Sequence, residues 1–409
     1  MYDVSEIRKH FPMLNGNKKM QGKPLVFLDN ASTTFKPQCV IDAMDKYYTE
    51  MTANSHRGDY DLSYGVDRQV RLTRETVARF VNSDVNEVVF TSGDTHSLNL
   101  IAYGYGLQNL KEGDEIVVSE AEHASNLLPW FKVSQFVKAK MVYVPLDEEG
   151  KITEENLKKV MSKKTKVVSL AHVGNVMGFR LNIAKIAEVC HSFGAILVVD
   201  GAQSVPHFKT DFKGWNIDFL TFSAHKMCGP TGIGCLIGKK ELLDKMDPFF
   251  VGGGMNETFT KPNNLVPFEA PSKFEAGTLN ISGIFGLDAA IKFLEGIGMD
   301  NIETYEAELK RYIVDKLKNS NVKIYNANST SGILTFNVGN LFAQDEATYL
   351  NYKGIAVRSG QHCDKLLNDF LCTPATVRAS FYLYTTKEEV DYLIECLLDG
   401  GDFLDAYFN

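Results

Sequence analysis

The chain has 409 residues, 44% of them hydrophobic and 23% charged, a balance typical of a soluble globular protein with room for two domains. Its formal net charge of −8, without a long lysine and arginine cluster, argues against nucleic acid or an anionic membrane as partners. There is no run of about 18 apolar residues to span a membrane. Because Met1–Lys9 lacks the apolar centre of a signal peptide, we expect a cytoplasmic protein.

The seven cysteines form no C-x-x-C pair. An odd number without a pairing pattern argues against a disulfide framework and against a cysteine-rich zinc site. Cys190 and Cys396 fall on the apolar faces of predicted helices, so packing explains them. Cys363 has no such explanation.

Short β-branched runs alternate with helical segments. These runs are Glu87–Phe90, Glu115–Val118, Lys140–Val144, Lys166–Leu170 and Ala195–Val199. Their nearly continuous apolar character is typical of strands buried on both faces, and the intervening helices favour a mostly parallel sheet. In such sheets ligands bind beyond the carboxyl ends of the strands, which places Asp200, Thr91–Gly93 and Ala171–His172 near a site.

The domain organisation follows from changes in composition. We predict an N-terminal arm (1–20) that packs with the smaller domain, a large domain (21–265) and a smaller α+β C-terminal domain (266–409). Gly253–Pro271 is rich in Gly, Pro and Asn, which predicts a long functional loop. A long helical stretch is predicted from about Ile281 to Lys318.

The most informative segment is Ser223–Gly234, read together with Asp200–Gln203 just upstream. A lysine in a glycine-rich loop, here Lys226, is usually a surface charge. Among serine, histidine and glycine it can also hold an aldehyde cofactor as an imine, while Asp200 pairs with the ring nitrogen of that cofactor. The combination indicates pyridoxal 5′-phosphate, which needs both groups and a phosphate cradle.

Two other strand ends carry polar groups. Thr91–Thr95 lies between a strand and a helical run, where free N–H groups and the helix dipole suit a phosphate, although an ordinary capped turn looks the same. His123 follows the strand that ends at Val118, so it can lie over a cofactor ring and move protons. A lone histidine is more often a structural hydrogen bonder.

The C-terminal part carries a candidate nucleophile in Arg358–Cys363. Arginine and histidine near Cys363 favour its thiolate, and the alternative is a small buried residue. Farther on, Arg378 stands beside small residues. It can bind a substrate carboxylate through two parallel hydrogen bonds or form a surface ion pair.

Together these blocks resemble the cysteine desulfurases of the class V pyridoxal-phosphate aminotransferases, most closely the SufS-type (group II) branch. The resemblance runs from Leu28–Thr34 to Arg378–Ser380 and includes six blocks in the family's order. It implies the α/β architecture of the PLP-dependent transferase fold type I. That fold has a large domain with a mostly parallel, seven-stranded sheet and a smaller α+β domain that carries the cysteine loop.

The resemblance also implies residue roles. The catalytic residues that it implies are Cys363, Lys226 and His123. Those for cofactor binding are Lys226, Asp200, Gln203, Ser223, His225, Thr95, Asp94, His123 and, from the opposite subunit of a homodimer, Thr278. Those for substrate binding are Arg378, Asn175, His56 and Arg358, with Arg57 beside the substrate mouth.

The implied reaction converts L-cysteine to L-alanine. Lys226 holds the cofactor and takes the Cα proton, Asp200 pairs with the pyridine nitrogen, and Gln203 donates to the phenolic oxygen. Cys363 captures the sulfur as a persulfide for iron–sulfur cluster assembly. The short loop around Cys363 is similar to that of group II, which implies slow turnover alone and a sulfur acceptor of the SufE or SufU kind.

The chain departs from the family pattern beside the nucleophile, where Gln361 replaces a common histidine and Asp364-Lys365 a frequent Ala-Gln. These changes affect the expected rate and partner more than the reaction. Three alternatives stay open: a selenocysteine lyase, another class V aminotransferase-fold enzyme, and a non-catalytic scaffold in a sulfur relay.

Overall fold

The computed structural model describes residues 2–16, 18–55 and 58–399. Within these residues, seven strands form the main sheet. In spatial order they are Val88–Thr91, Gly234–Gly238, Phe219–Ser223, Ile196–Asp200, Thr165–Ala171, Glu115–Ser119 and Lys140–Val144. Gly234–Gly238 is antiparallel to both of its neighbours, and the other neighbouring pairs are parallel. The predicted mostly parallel sheet is confirmed.

Successive residues of these strands face two different cores. Val117 packs in the larger core, whereas Ile116 and Val118 pack in the core on the other face. This burial on both sides explains the continuous apolar runs in the sequence. Phe219–Ser223 and Gly234–Gly238 were not predicted as strands, because serine, threonine and glycine interrupt their apolar character.

Helices pack on both faces of the main sheet. The longer helices that contribute to its cores are Asp61–Val81, Asp94–Ile101, Ala124–Val137, Glu154–Val160, Ile183–Ser192 and Ile281–Ile297. Gln38–Glu50 and Lys240–Leu243 complete this part of the chain. None of the helices in the described ranges combines the length and the apolar character that a membrane crossing requires.

A second, antiparallel sheet forms the smaller unit. Across the sheet, its four strands among the described residues are Val322–Ile324, Ile333–Val338, Thr376–Ser380 and Arg358–Gly360. The helices in this unit are Met299–Leu317, Ala343–Tyr352, Lys365–Phe370 and Lys387–Leu398. The last helix begins with a capping box in which the side chains of Thr386 and Glu389 each bond to the other's backbone N–H, which fixes its start.

The N-terminal segment packs against the C-terminal part of the chain. Arg8, at the end of the helix Val4–Arg8, donates to the carbonyl of Tyr384 and pairs with Glu389 at 3.0 Å. Farther along, Val26–Phe27 pairs in parallel with Ile355–Ala356. Val26 and Leu28 thereby join the smaller core, whereas Phe11, nearer the start of the chain, packs in the larger one.

The domain boundaries stay predictions, although the packing favours a later division than residue 265. The helix Ile281–Ile297 belongs to the larger core, and Leu309, in the next helix, belongs to the smaller one. The predicted helical stretch from Ile281 to Lys318 is confirmed, and it consists of two helices. Gly298, with φ of 92°, ends the first helix, and a second helix, Met299–Leu317, begins there.

The prediction of a loop at Gly253–Pro271 is also wrong. The structure contains a two-stranded hairpin, Asn256–Thr260 paired with Asn264–Pro267. Threonine, phenylalanine and valine in these strands favour extended structure, and Lys261–Asn263 forms the turn between them. The glycine, proline and asparagine of the turn and the flanking residues led to the prediction of a loop, although two short strands lie between them.

Candidate active site

A cavity of about 200 Å³ lies beyond the carboxyl ends of the main strands. Eleven of the predicted site residues line it: Asp94, Thr95, His123, Asn175, Asp200, Gln203, Ser223, His225, Lys226, Arg358 and Arg378. The cavity-lining residues numbered up to Lys226 come from the part of the chain that builds the large core, and we call them the floor. Arg358, His362 and Arg378 come from the smaller unit and form the roof.

Lys226 ends a short 3-10 turn, Ala224–Lys226, which directly follows the strand Phe219–Ser223. Burial lowers the pKa of its amine, and the charges of Asp200 and Asp94 act in the opposite direction. A lowered pKa leaves more of the neutral amine, which is the form that reacts with an aldehyde. Because Lys226 lines the cavity and is only partly exposed, the alternative of a surface lysine is wrong.

Two carboxyl groups accompany this lysine. Asp200 is the last residue of its strand and accepts a hydrogen bond from the N–H of Ala202 at 2.9 Å. Burial raises the pKa of Asp200. Burial and the charge of Asp200 raise the pKa of Asp94 to about 8. A cationic ring nitrogen beside Asp200 would favour its charged form and compensate for the burial.

The turn at Thr91–Asp94 leads into the helix Asp94–Ile101. Gly93 there has φ of 148°, a conformation that suits glycine. The Ser223 hydroxyl accepts from the N–H of Asp94 at 2.7 Å, and the hydroxyls of Thr95 and Ser125 lie 2.8 Å apart. These hydroxyl groups and the helix N-terminus face the cavity, which fits a phosphate group.

His123 and Gln203 are placed for contact with a cofactor ring. The Nδ1 atom of His123 accepts from the N–H of Ser125, so its Nε2 carries the proton. Burial, with Lys226 adding to the effect, lowers the pKa of His123 to about 4, which keeps it neutral at pH 7. The Gln203 amide donates to the carbonyl of Ala31 at 2.7 Å, and its Oε1 is buried without a hydrogen-bond partner among the described residues.

Arg378 is buried in the roof, with 1% of its surface exposed; it does form an ion pair, with Asp29 at 3.3 Å, but not at the surface. It donates to the carbonyl of Asn175 and to the hydroxyl of Ser32, both at 2.9 Å. Its Nε has no partner among the described residues. A buried guanidinium N–H of this kind, in a residue that lines the cavity, fits an anionic substrate group.

Cys363 is exposed at the roof, and its Sγ lies 3.5 Å from Nη2 of Arg358. In this contact the guanidinium N–H donates to the sulfur. The backbone of this loop is left-handed at His362 (φ 51°) and Cys363 (φ 60°). Two hydrogen bonds fix it to the floor. Ala124 donates to the carbonyl of Cys363 at 2.8 Å, and Asn175 donates to that of His362 at 2.9 Å.

Among the described residues, the predicted Cys363 and Thr278 do not line the cavity. Thr278 is exposed and lines a neighbouring groove of about 630 Å³ with Phe249 and Phe250, so it is absent from the cavity of its own chain. His56, with Arg57, lies outside the described residues.

Sequence reasoning missed three residues around the site. Ser32 contacts both arginines of the roof, Arg358 and Arg378. The sequence segment that contains it, Leu28–Thr34, was recognised, but no role was assigned to Ser32. Glu122, beside His123, is fully buried and accepts hydrogen bonds from Ser119, Asn126 and the N–H of Ala171. Asp364 was noted as unusual, but its burial was not predicted. A charged residue gives no sequence signal that it will be buried, because this depends on distant segments.

The aminotransferase class-V family model matches residues 26–393, and the chain belongs to that family. A probable cysteine desulfurase from Halalkalibacterium halodurans is 45% identical over 408 residues, covering 99% of this chain and 100% of the relative. The structure of the cysteine desulfurase CsdA (S-sulfonic acid) from Escherichia coli has a TM-score of 0.90 at 34% identity, covering 99% of each chain. An apo cysteine desulfurase from Thermococcus onnurineus NA1 has a TM-score of 0.92 at 36% identity, covering 98% of this chain and 99% of the other.

The family and the fold type that the sequence predicted are confirmed by these matches. They also support pyridoxal 5′-phosphate as the cofactor. The cavity independently fits that group, because it combines a lysine of lowered pKa, a buried aspartate and a helix N-terminus.

Proposed function

We propose that this protein is a cysteine desulfurase of the SufS type, which converts L-cysteine to L-alanine and retains the sulfur on Cys363. The observation that carries this proposal is the contact between Arg358 and the Cys363 thiol at 3.5 Å. Arg358 also lines the cavity that contains Lys226, which supports a thiol close to the cofactor site.

The floor residues hold the cofactor. Lys226 binds its aldehyde, Asp200 its ring nitrogen, and the N-terminus of Asp94–Ile101 with Ser223 its phosphate. When bound, pyridoxal phosphate supplies an electron sink that acidifies the Cα of an amino acid. The lowered pKa of Lys226 allows its amine to accept that proton, and the neutral His123 beside it assists proton transfer.

The roof residues orient the substrate and receive its sulfur. Arg378 binds the carboxylate through Nε, and Asn175 is held beside it by the bond from its side chain to His362. The Cys363 thiolate attacks the substrate sulfur, so that an S–S bond forms while the Cβ–S bond breaks. The carbon skeleton keeps the electron pair of the Cβ–S bond and gains a proton to become alanine.

The partners follow from the same proposal. We infer a cytoplasmic homodimer, in which the exposed Thr278 reaches the phosphate in the opposite subunit. The exposed aromatic rings of Phe249 and Phe250 in the same groove support an interface there. The persulfide on Cys363 is exposed and passes to an acceptor of the SufE or SufU kind, for iron–sulfur cluster assembly.

The reaction is tested by comparing wild type with Cys363→Ser. We expect the variant to keep the absorbance of the bound cofactor but to lose the release of alanine and sulfide from L-cysteine, because serine has no sulfur nucleophile. Cys372→Ser is the matched control, since Cys372 is also exposed but its thiol donates to the carbonyl of Phe370 instead of contacting Arg358. Release that survives Cys363→Ser, or that disappears in the control, contradicts the role of Cys363.

The alternatives have separate tests. A class V aminotransferase would pass the amino group of its substrate to pyruvate or 2-oxoglutarate without needing Cys363. A selenocysteine lyase would act on L-selenocysteine and leave L-cysteine unchanged. A scaffold would neither bind the cofactor nor turn over either substrate.

A further inference from the structure

The turn that carries Lys226 is bound by a segment far away in the sequence, Thr33–Lys36. The carbonyl of His225, one residue before Lys226, lies within hydrogen-bond distance of four donors of this segment. They are the N–H of Thr34 at 3.0 Å, the hydroxyls of Thr33 and Thr34, each at 3.1 Å, and the Nζ of Lys36 at 3.0 Å. Because a peptide bond is planar, contacts that fix this carbonyl also fix the backbone nitrogen of Lys226.

The hydroxyl of Thr34 bonds to the backbone on both sides of Lys226. It donates to the carbonyl of His225 and accepts from the N–H of Cys228 at 2.9 Å. Cys228 is left-handed, with φ of 62°, and a residue other than glycine keeps this conformation only where surrounding contacts hold it. Thr34 and Cys228 are both buried, so solvent does not compete for these bonds. One side chain thus holds both ends of the short stretch that contains the lysine.

The amine of Lys36 makes the second side-chain contact of this kind. It donates to the carbonyl oxygens of Thr34 and His225, so it joins the segment to the turn. Burial lowers the pKa of Lys36 to about 8. A buried amine is costly unless it is hydrogen bonded, and the two carbonyl groups provide those bonds. Both the protonated and the neutral amine can donate, so the contact does not depend on the titration of Lys36.

The segment is itself fixed to the smaller unit. The N–H of Phe35 donates to the hydroxyl of Tyr384 at 2.9 Å, and that hydroxyl donates to the side-chain oxygen of Asn30. Asn30 in turn donates to the carbonyl of Ser380 at 2.7 Å. Tyr384, Asn30 and Ser380 are all buried. These hydrogen bonds connect the smaller sheet with the turn that carries Lys226.

We propose that Thr34 and Lys36 are positioning residues, which fix the turn so that the amine of Lys226 is held where the aldehyde of pyridoxal 5′-phosphate reaches it. Neither residue lines the cavity, so both act through the backbone next to Lys226. Holding the amine in place before the reaction favours imine formation, because less freedom is then lost. The inference rests on the proposed function only through the role of Lys226, and it does not involve the sulfur chemistry at Cys363.

The test compares two cofactor forms that differ only in the group that meets Lys226. Pyridoxal 5′-phosphate forms an imine with its amine, whereas pyridoxamine 5′-phosphate carries an amine in place of the aldehyde and forms none. Isothermal titration calorimetry gives the dissociation constant of each form for the full-length protein after its cofactor has been removed. Lys226→Ala, which cannot form the imine, shows how far the two affinities converge when the lysine does not contribute.

Three variants separate positioning from a general structural role. Thr34→Val keeps nearly the same shape but removes the hydroxyl, and Thr34→Ser restores it. Lys36→Met keeps an unbranched side chain of similar length without the amine. Lys36 is only partly buried, so Lys36→Met keeps the test decisive if Thr34→Val does not fold.

In Thr34→Val and Lys36→Met we expect the affinity for pyridoxal 5′-phosphate to fall by about tenfold, while the affinity for pyridoxamine 5′-phosphate stays nearly unchanged. Thr34→Ser is expected to recover the wild-type affinity for the aldehyde form. An equal loss of affinity for both forms, or no loss for the aldehyde form, overturns the proposal. Because no substrate is present, a negative result here leaves the desulfurase assay unaffected, and the reverse also holds.

Discussion

The floor and the roof of the cavity hold their functional side chains by different means. On the floor, Asp200 and Lys226 follow adjacent parallel strands, and the hydrogen bonds of the sheet fix their positions. On the roof, Cys363 is in a left-handed turn that one backbone bond, from Ala124, and one side-chain bond, from Asn175, tie to the floor. The difference teaches that the proposed cofactor site is built on the main sheet, whereas the proposed sulfur-accepting cysteine depends on contacts between two parts of the chain.

If the floor binds the cofactor and the roof receives the sulfur, Lys226→Ala is expected to have the largest effect on alanine release. The variant loses the amine that binds the aldehyde and accepts the proton, so we expect alanine release to fall by at least about a thousandfold. The absorbance of the bound cofactor is also expected to change in Lys226→Ala, whereas Cys363→Ser is expected to keep it. Lys209→Ala, at an exposed position, is the control. Substantial turnover without Lys226 would contradict the assignment of the floor.

A smaller effect is expected from Arg378→Lys in the roof. Lysine keeps the charge but cannot reproduce the fixed guanidinium geometry, and a hydrogen bond to a charged group contributes about 1.5–3 kcal/mol. The KM for L-cysteine is expected to rise by about tenfold to a hundredfold. Cofactor absorbance should stay as in the wild type. The exposed Arg71→Lys is the control, and an unchanged KM would remove Arg378 from the substrate site.

A buried lysine away from the cavity sharpens the comparison with Lys226. Lys310 lies in the smaller unit, where it bonds to Ser329 and to the carbonyl of Ile333, and burial lowers its pKa to about 7. Asn326 also donates to that carbonyl, so Lys310→Met leaves it a partner. We expect this variant to retain activity, because burial of a lysine alone does not make it catalytic.

The effect of Lys310→Met is expected in the pH dependence of stability. Between about pH 7 and 10 the folded wild type binds fewer protons at Lys310 than the unfolded chain, so its free energy of unfolding rises with pH. Relative to the variant, the wild type should gain up to about 1.4 kcal/mol per pH unit, measured by urea unfolding. Lys316→Met, at an exposed position on the same helix, should follow the wild type. Parallel curves for wild type and Lys310→Met would contradict the lowered pKa.

The sequence by itself determined the elements whose signals are local. Continuous apolar runs marked five of the main strands, and the pair Thr386 and Glu389 marked the start of the last helix. The motifs at the strand ends placed Asp200 and His123 at one edge of the sheet, because parallel strands present their carboxyl ends together. The resemblance to a known family then assigned roles to these residues.

Only the tertiary structure decided how the roof meets the floor. Arg378 bonds to Asn175, 203 residues away in the chain, and Cys363 to Ala124, so neither contact has a local signal. The burial of Asp364 depends on the same packing. Local propensities act over a few residues, whereas burial and pKa depend on which distant groups exclude water. The candidate nucleophile, Cys363, can thus be recognised in the sequence, whereas its position relative to the floor is a property of the fold.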